Sequence, residues 1–201
     1  SPSKTTTYTA LVTNTYGCTT RHVKTILVNQ PYDLSRKPSG DTTIYIGETI
    51  QLIIATAESN INYSWSPAID ISCTHCNNPW VSPIETTTYT VETKNNCFDF
   101  SEEFLVNVIR DFYLEAPSAF TPNGDSNNDI FRFEGSNIAN FDLKIFNRWG
   151  DIVFSTNDIN QGWDGTVNGH SQNIDTYKYL VVAETTHGYK FEKKGEFLLL
   201  K

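Results

Sequence analysis

A six-residue motif occurs twice in this chain, about eighty residues apart, and it limits what the chain can fold into. Lys4-Thr5-Thr6-Thr7-Tyr8-Thr9 returns as Glu85-Thr86-Thr87-Thr88-Tyr89-Thr90. Each copy leads through a polar turn (Asn14 to Cys18, then Lys94 to Cys97) into an alternating apolar run. These runs are Val23-Lys24-Thr25-Ile26-Leu27-Val28 and Phe104-Leu105-Val106-Asn107-Val108-Ile109. Thr, Tyr, Val and Ile suit a pleated, half-buried backbone, and side chains alternate faces along a strand. Strand–turn–strand units at this period mark β modules in series. Residues 1–30 then read as the last two strands of one module and 31–111 as a complete β-sandwich repeat. Residues 112–201 read as a further sandwich without the motif. A lone hairpin is marginal in water. Residues 1–30 therefore either pack on the next module or were cut from a longer array, and the second reading is favoured.

Within 31–111, strands are expected over 43–46, over 50–57 after the turn at Gly47-Glu48, and over 62–66. Tyr63 and Trp65 share a face there, Pro67 ends the strand, and Trp65 reads as a core residue. Beyond the boundary near Arg110-Asp111, Phe141, Leu143 and Ile145 alternate with Asp142 and Lys144, the pattern of a strand with one buried face. A strand over 152–154 follows the Asn147-Arg148-Trp149-Gly150 turn. Segments 177–183 and 195–200 are too apolar to face water on both sides, and Thr186-His187-Gly188 joins a terminal hairpin. No long stretch shows capped helical periodicity. The fold class is all-β, in tandem β-sandwich modules, which the resemblance given below makes Ig-like.

Charge and cysteines narrow the function. The net charge is −8 and the pI about 4.9, which argues against nucleic acid, since phosphate binding needs clustered Lys and Arg. Lys190, Lys193, Lys194 and Lys201 form the one basic cluster and read as the solvated face of the last hairpin. No apolar run reaches the ~18 residues of a membrane helix, and the polar start lacks the apolar stretch of a signal peptide. Cys73-Thr74-His75-Cys76 has no second pair to complete a zinc site. Asn77-Asn78-Pro79-Trp80 reads as a loop rather than the helix of a thioredoxin motif. A small disulfide between Cys73 and Cys76 is the favoured reading, with Cys97 a buried thiol or a partner for either loop cysteine. Sequence does not choose among the three full pairings that four cysteines allow, and a disulfide implies an oxidising compartment.

Three clusters invite chemistry. Asn123, Asp125, Asn127 and Asp129 alternate through a tight loop around Gly124, as oxygen ligands do in calcium loops. Asx-rich turns adopt the same pattern without metal, and no bidentate Glu closes this one. Arg148 and Trp149 suit stacking on a sugar or a partner protein. The alternative is that Trp149 and Trp163 cap one end of the sandwich while Asp164 holds a turn. Asp151 and Asp164 are carboxylates that nothing in the sequence brings together. No Ser-His-Asp set is evident, and the chain is not expected to be an enzyme.

Two resemblances add to this reading. "YSWSP" at 63–67, "SCTHCNNPWVSP" at 72–83, "TTTYTV" at 86–91 and the late Cys97 resemble PKD and immunoglobulin-like repeats of bacterial surface proteins, which implies a spacer or adhesive repeat. "APSAFTPNGDSNNDIF" at 116–131, "FDLKIFNRWGDIVF" at 141–154, "GWDGTVNG" at 162–169, "TYKYLVV" at 176–182 and "GEFLLLK" at 195–201 are collinear. Together they resemble the gliding-motility-associated C-terminal domain, the type B sorting domain of the Bacteroidota type IX secretion system. Asp175 stands where that family usually has Gly before Thr-Tyr. The resemblance implies a targeting region that sends a large surface protein, such as a gliding adhesin of the SprB kind, to the outside of the outer membrane. It also implies as partners the outer-membrane translocon and a β-barrel protein of the PorV or PorP/SprF type. No cofactor is expected, the calcium reading apart. Gly195, Phe197, Leu198, Leu199, Leu200 and Lys201, with Arg148 and Trp149, are the candidate partner-binding residues. The mode would be strand addition along 198–201, because three consecutive leucines cannot all face one core. The rival function is an adhesive or carbohydrate-binding module using Trp65, Trp80 or Trp149, and a third is a purely mechanical spacer.

Overall fold

A computed structural model describes residues 1–57 and 60–201. Among them every regular element is a strand, and no helix is long and apolar enough to cross a membrane. The first two strands, β1 (Thr6–Thr13) and β2 (Thr19–Ile26), pair antiparallel and form a sheet of their own. Leu11, Tyr16 and Leu27 of this hairpin lie open to solvent. One side-chain bond ties its end to the next module, from Asn29 Nδ2 to Cys97 Sγ at 2.8 Å.

The second unit runs through β3 (Ser35–Lys37), β4 (Thr42–Tyr45), β5 (Ile50–Gln51), β6 (Ile53–Ala55), β7 (Asn62–Ser66), β8 (Trp80–Val81), β9 (Thr87–Lys94) and β10 (Asp99–Ile109). Its main sheet has the order β4-β10-β9-β7, with β4 parallel to β10, and β3–β6 and β5–β8 form smaller pairs. The strand expected over 50–57 is two strands. Its chain changes partner midway, β5 pairing with β8 and β6 with β3, while the Leu52 and Ile54 N–H groups bond to Pro79 O and Asn77 O. Ile44, Leu52, Ile54, Trp65, Tyr89, Val91, Phe104 and Val106 fill the core. Trp65 is the expected core residue, and its indole N–H is satisfied by Cys76 O at 2.7 Å. Tyr89 donates its hydroxyl to Ile69 O, and burial, with Asp70 nearby, pushes its pKa up to about 12. Cys73 and Cys76 are disulfide-bonded. Cys97 is an exposed free thiol rather than a buried one, because it sits in the polar turn between β9 and β10; Cys18 is likewise exposed and free.

The third unit holds β11 (Tyr113–Glu115), β12 (Ala119–Phe120), β13 (Glu134–Ser136), β14 (Ile138–Phe146), β15 (Ile152–Thr156), β16 (Thr166–Val167), β17 (His170–Ser171), β18 (Asp175–Thr185) and β19 (Lys190–Leu199). Five strands form a sheet in the order β12-β19-β18-β14-β15. β12 runs parallel to β19 as β4 does to β10, so both units share this edge arrangement. The β11–β13 and β16–β17 pairs and a bridge between Phe131 and Trp163 lie outside this sheet. The alternation along β14 buries Phe141, Leu143 and Ile145, as the sequence predicts. The core here is largely aromatic and separate from that of the second unit. Phe131 stacks on Phe197 with ring centroids 3.6 Å apart, and Trp163 packs against Tyr177 and Phe120.

Candidate functional site

Strand alternation divides the last strand between two roles. Phe197 and Leu199 point into the core, while Leu198 and Leu200 are 45% and 39% exposed. Gly195 lies under the Tyr179 ring, where a Cβ would fall 2.4 Å from the Tyr179 hydroxyl oxygen. The backbone edge expected to be open along 198–201 is occupied on both sides at Leu198 and Leu199. β18 pairs along one side, and on the other the Leu198 and Leu200 N–H groups bond to Ser118 O and Phe120 O. A strand after a Pro-containing loop, β12, fills that place. Among the described residues, the sheet's outermost strand at its other side is β15.

The second candidate group sits on the turn between β14 and β15. Asn147 Oδ1 accepts N–H groups from Trp149 and Asp151, both at 2.9 Å, and Asn147 Nδ2 donates to Asp151 Oδ2. Gly150 closes the turn at φ +87°, a conformation that suits glycine. This geometry lifts Trp149 into solvent at 81% exposure. The end-capping pair foreseen for Trp149 and Trp163 is therefore not formed. Trp163 is buried and donates its indole N–H to Thr166 O, and Asp164 holds the turn by accepting the Thr166 N–H and hydroxyl. Asp151 and Asp164 each serve their own turn.

Arg148 pairs through its guanidinium with Asp175 Oδ2, and Asp175 Oδ1 accepts the Thr176 N–H at 2.8 Å. The Arg148 hydrogen bond, ahead of the Thr176 bond, holds the Asp175 carboxyl below its ordinary range. Asp175 opens β18 without a left-handed backbone, so the position does not require glycine. It also pairs with Leu199 across the ladder. The ion pair thereby ties the Trp149 turn to the end of β19, and both candidate groups lie at one end of the same sheet. Ile152 and Ile174, each more than half exposed, belong to the same end. Neither stood out in the sequence, since an isolated isoleucine beside a turn carries no local signal.

The remaining candidates are placed as follows. Lys193 Nζ donates to Leu114 O, while Lys190 and Lys194 lie 3.9 and 3.0 Å from Glu184 and Glu192. Trp65 is buried and Trp80 is half-exposed beside the disulfide loop. In the 123–129 loop, Asn123 Oδ1 accepts the Asp125 N–H and Asp125 Oδ1 accepts the Asn127 N–H. Asp129 accepts the Gly124 N–H on Oδ1 and the Ser126 N–H on Oδ2. Side-chain oxygens of Asn123, Asp125 and Asp129 thus bond to the loop's own N–H groups. We expect a strong chelator to leave the melting temperature of the chain unchanged; a fall would show that the loop holds a cation.

Residues 114–199 match the family described as the CHU_C Type IX secretion signal domain. That match supports a secretion-targeting role, and such a signal implies interaction with the type IX machinery, secretion and attachment at the cell surface. No curated protein matches the chain. Among solved structures, an I-band fragment of titin shares 11% identity at a TM-score of 0.41, covering 98% of this chain and 75% of that one. Immunoglobulin domains 1–5 of Sidekick-1 share 10% at 0.39, covering 97% and 45%. A human protocadherin-24 fragment shares 10% at 0.36, covering 86% and 99%.

Proposed function

We propose that residues 112–201 are the address by which an attached surface protein is delivered through the type IX system, and that the apolar end bearing Trp149, Leu198 and Leu200 is the surface its reader touches. The carrying observation is the convergence of two separate sequence motifs, "IFNRWG" and "GEFLLLK", on one end of one sheet through the Arg148–Asp175 pair. Trp149 is exposed and stands next to Arg148, and Trp and Arg are the side chains enriched in interface hot spots. Phe197, Leu199 and Gly195 contribute by holding β19 in register, and Lys201 continues the strand's end. The reader in this proposal is an outer-membrane β-barrel protein of the PorV or PorP/SprF type. The cargo is a large adhesin of the gliding kind, whose Ig-like or PKD-like repeats the second unit represents, non-catalytic and held at the outer membrane. Since β12 occupies the edge of β19, the contact runs through side chains there and not through strand addition.

The test is export of the full chain carrying Trp149→Ala, Leu198→Ser and Leu200→Ser together. These residues are exposed, so the variant should melt with the parent. Loss of a Trp hot spot, worth about 2 kcal/mol, should lower capture by the export machinery by roughly thirtyfold. Unchanged surface delivery by a stable triple variant would remove this end as the recognised surface. The rival reading, a carbohydrate-binding module using the exposed Trp80 or Trp149, predicts glycan-array signal that disappears with Trp149→Ala or Trp80→Ala.

A further inference from the structure

The end of the third unit opposite Trp149 holds the second unit in a shaped contact. The turn between β18 and β19 brings His187 flat against Tyr45, with ring centroids 4.2 Å apart and planes at 12°. His187 Nδ1 lies 3.2 Å from Glu48 Oε1, and Glu48 Oε2 accepts the Tyr45 N–H at 2.8 Å. The two backbones touch at Gly47, where a Cβ would fall 2.4 Å from Tyr189 N and 2.5 Å from His187 O. Beside it Ile46 is wholly buried yet belongs to neither core. The connecting residues, Arg110 to Phe112, are pinned as well. Asn137 Nδ2 donates to the carbonyl and to Oδ2 of Asp111 at 2.8 and 3.1 Å, and Asn137 O accepts the Thr186 N–H at 3.0 Å. The Phe112 ring packs on Tyr189 and Phe191, with the Arg110 guanidinium 5.7 Å from its centroid.

We propose that this seat joins residues 31–201 into one rigid arm, in which the second unit is a standoff held at a fixed angle to the signal module. Domains that share few contacts move relative to one another by default. Such motion needs a few connecting residues free to change φ and ψ. Here the connection is tied to the third unit by Asn137 at Asp111 and by aromatic packing at Phe112, and Gly47 docks backbone against backbone. The join ahead of the second unit lacks these features. No residue of β1 or β2 is buried, and among the described residues the tie across that join is the bond from Asn29 to Cys97. The seat also sets a direction. It lies at the far end of β18 from Asp175 and the Trp149 turn, and the 11 residues of β18 separate the two ends by about 30 Å. The arm thus points the second unit away from the Trp149 end and keeps it clear of whatever binds there. It rests on the contact alone and stands whether or not the Trp149 end is the recognised surface.

The experiment is ¹⁵N relaxation on the full chain, which reports tumbling on the nanosecond scale. Amides of 31–111 and 112–201 should share one rotational correlation time, and amides of 6–26, joined without a seat, should show a shorter one. Gly47→Ala blocks the seat sterically and should split the shared time into two shorter ones, with both units keeping native spectra. Because alanine also strains the Gly47 backbone at φ +100°, a second variant leaves that turn intact. It combines His187→Ala with Asn137→Ala, which removes the polar ties from the side of the third unit, and it too should lose the shared time. Different correlation times for the two units of the parent chain would overturn the proposal. So would a shared time that survives in both variants, since the short connection alone would then account for it. A time for residues 6–26 equal to that of the arm would overturn it as well, because a seat would then not be what confers rigidity.

Discussion

Replacing Phe197 by alanine is expected to remove about 3–5 kcal/mol from the stability of the signal module. Phe197 is 1% exposed, and its ring stacks on Phe131 and contacts Phe120, Trp163, Tyr177 and Tyr179. Truncation would leave a cavity at the point where five aromatic rings converge, and rings of that size do not collapse into the gap without leaving their rotamer wells. A domain is typically stable by ~5–15 kcal/mol, so this single change approaches the limit of folding. Leu198→Ser, one residue on, should stay within about 0.5 kcal/mol because its side chain faces solvent. Urea denaturation followed at amides of β18 and β19 measures both. Equal losses for the two variants would contradict the alternation on which the division between core and recognition surface rests.

Gly195→Val carries the next largest effect, and its sign separates propensity from packing. Gly195 is central in a strand, where valine is the better residue by intrinsic preference. Packing reverses this, since the new Cβ would meet the Tyr179 hydroxyl, Cζ and Cε1 at 2.4, 2.6 and 2.9 Å. Tyr179 is itself wedged edge-on against Phe133, and burial raises its pKa. Moving it therefore disturbs the same aromatic core. We expect a loss of about 1–3 kcal/mol, the usual cost of overpacking, seen as a lower denaturation midpoint with an unchanged slope. A gain in stability would show that the ring swings aside freely.

These two residues show how far the sequence could be read. Alternation located β14, β18 and β19, because period-two burial is a local signal. The repeat located β1–β2 and β9–β10 for the same reason. Segment 50–57 looks like one continuous strand in sequence, since its break is dictated by Asn77 and Pro79, far along the chain. The edge of β19 looks open in sequence, because nothing near Leu198 announces that Ser118 and Phe120 will cover it. Trp149 and Trp163 look alike in sequence; the Asn147 turn exposes one and the Phe131 bridge buries the other. The hydrogen bond between His187 Nδ1 and Glu48 Oε1 joins residues 139 positions apart in the chain, which no motif encodes.

If residues 112–201 are the export address, they suffice for export on their own. The most direct test fuses them to the end of a periplasmic reporter in a cell with a working type IX system and measures reporter accessible to external protease or antibody. Reporter is expected at the cell surface, and none when Phe197→Ala unfolds the module. Reporter that stays in the periplasm while the fused module is folded would contradict it.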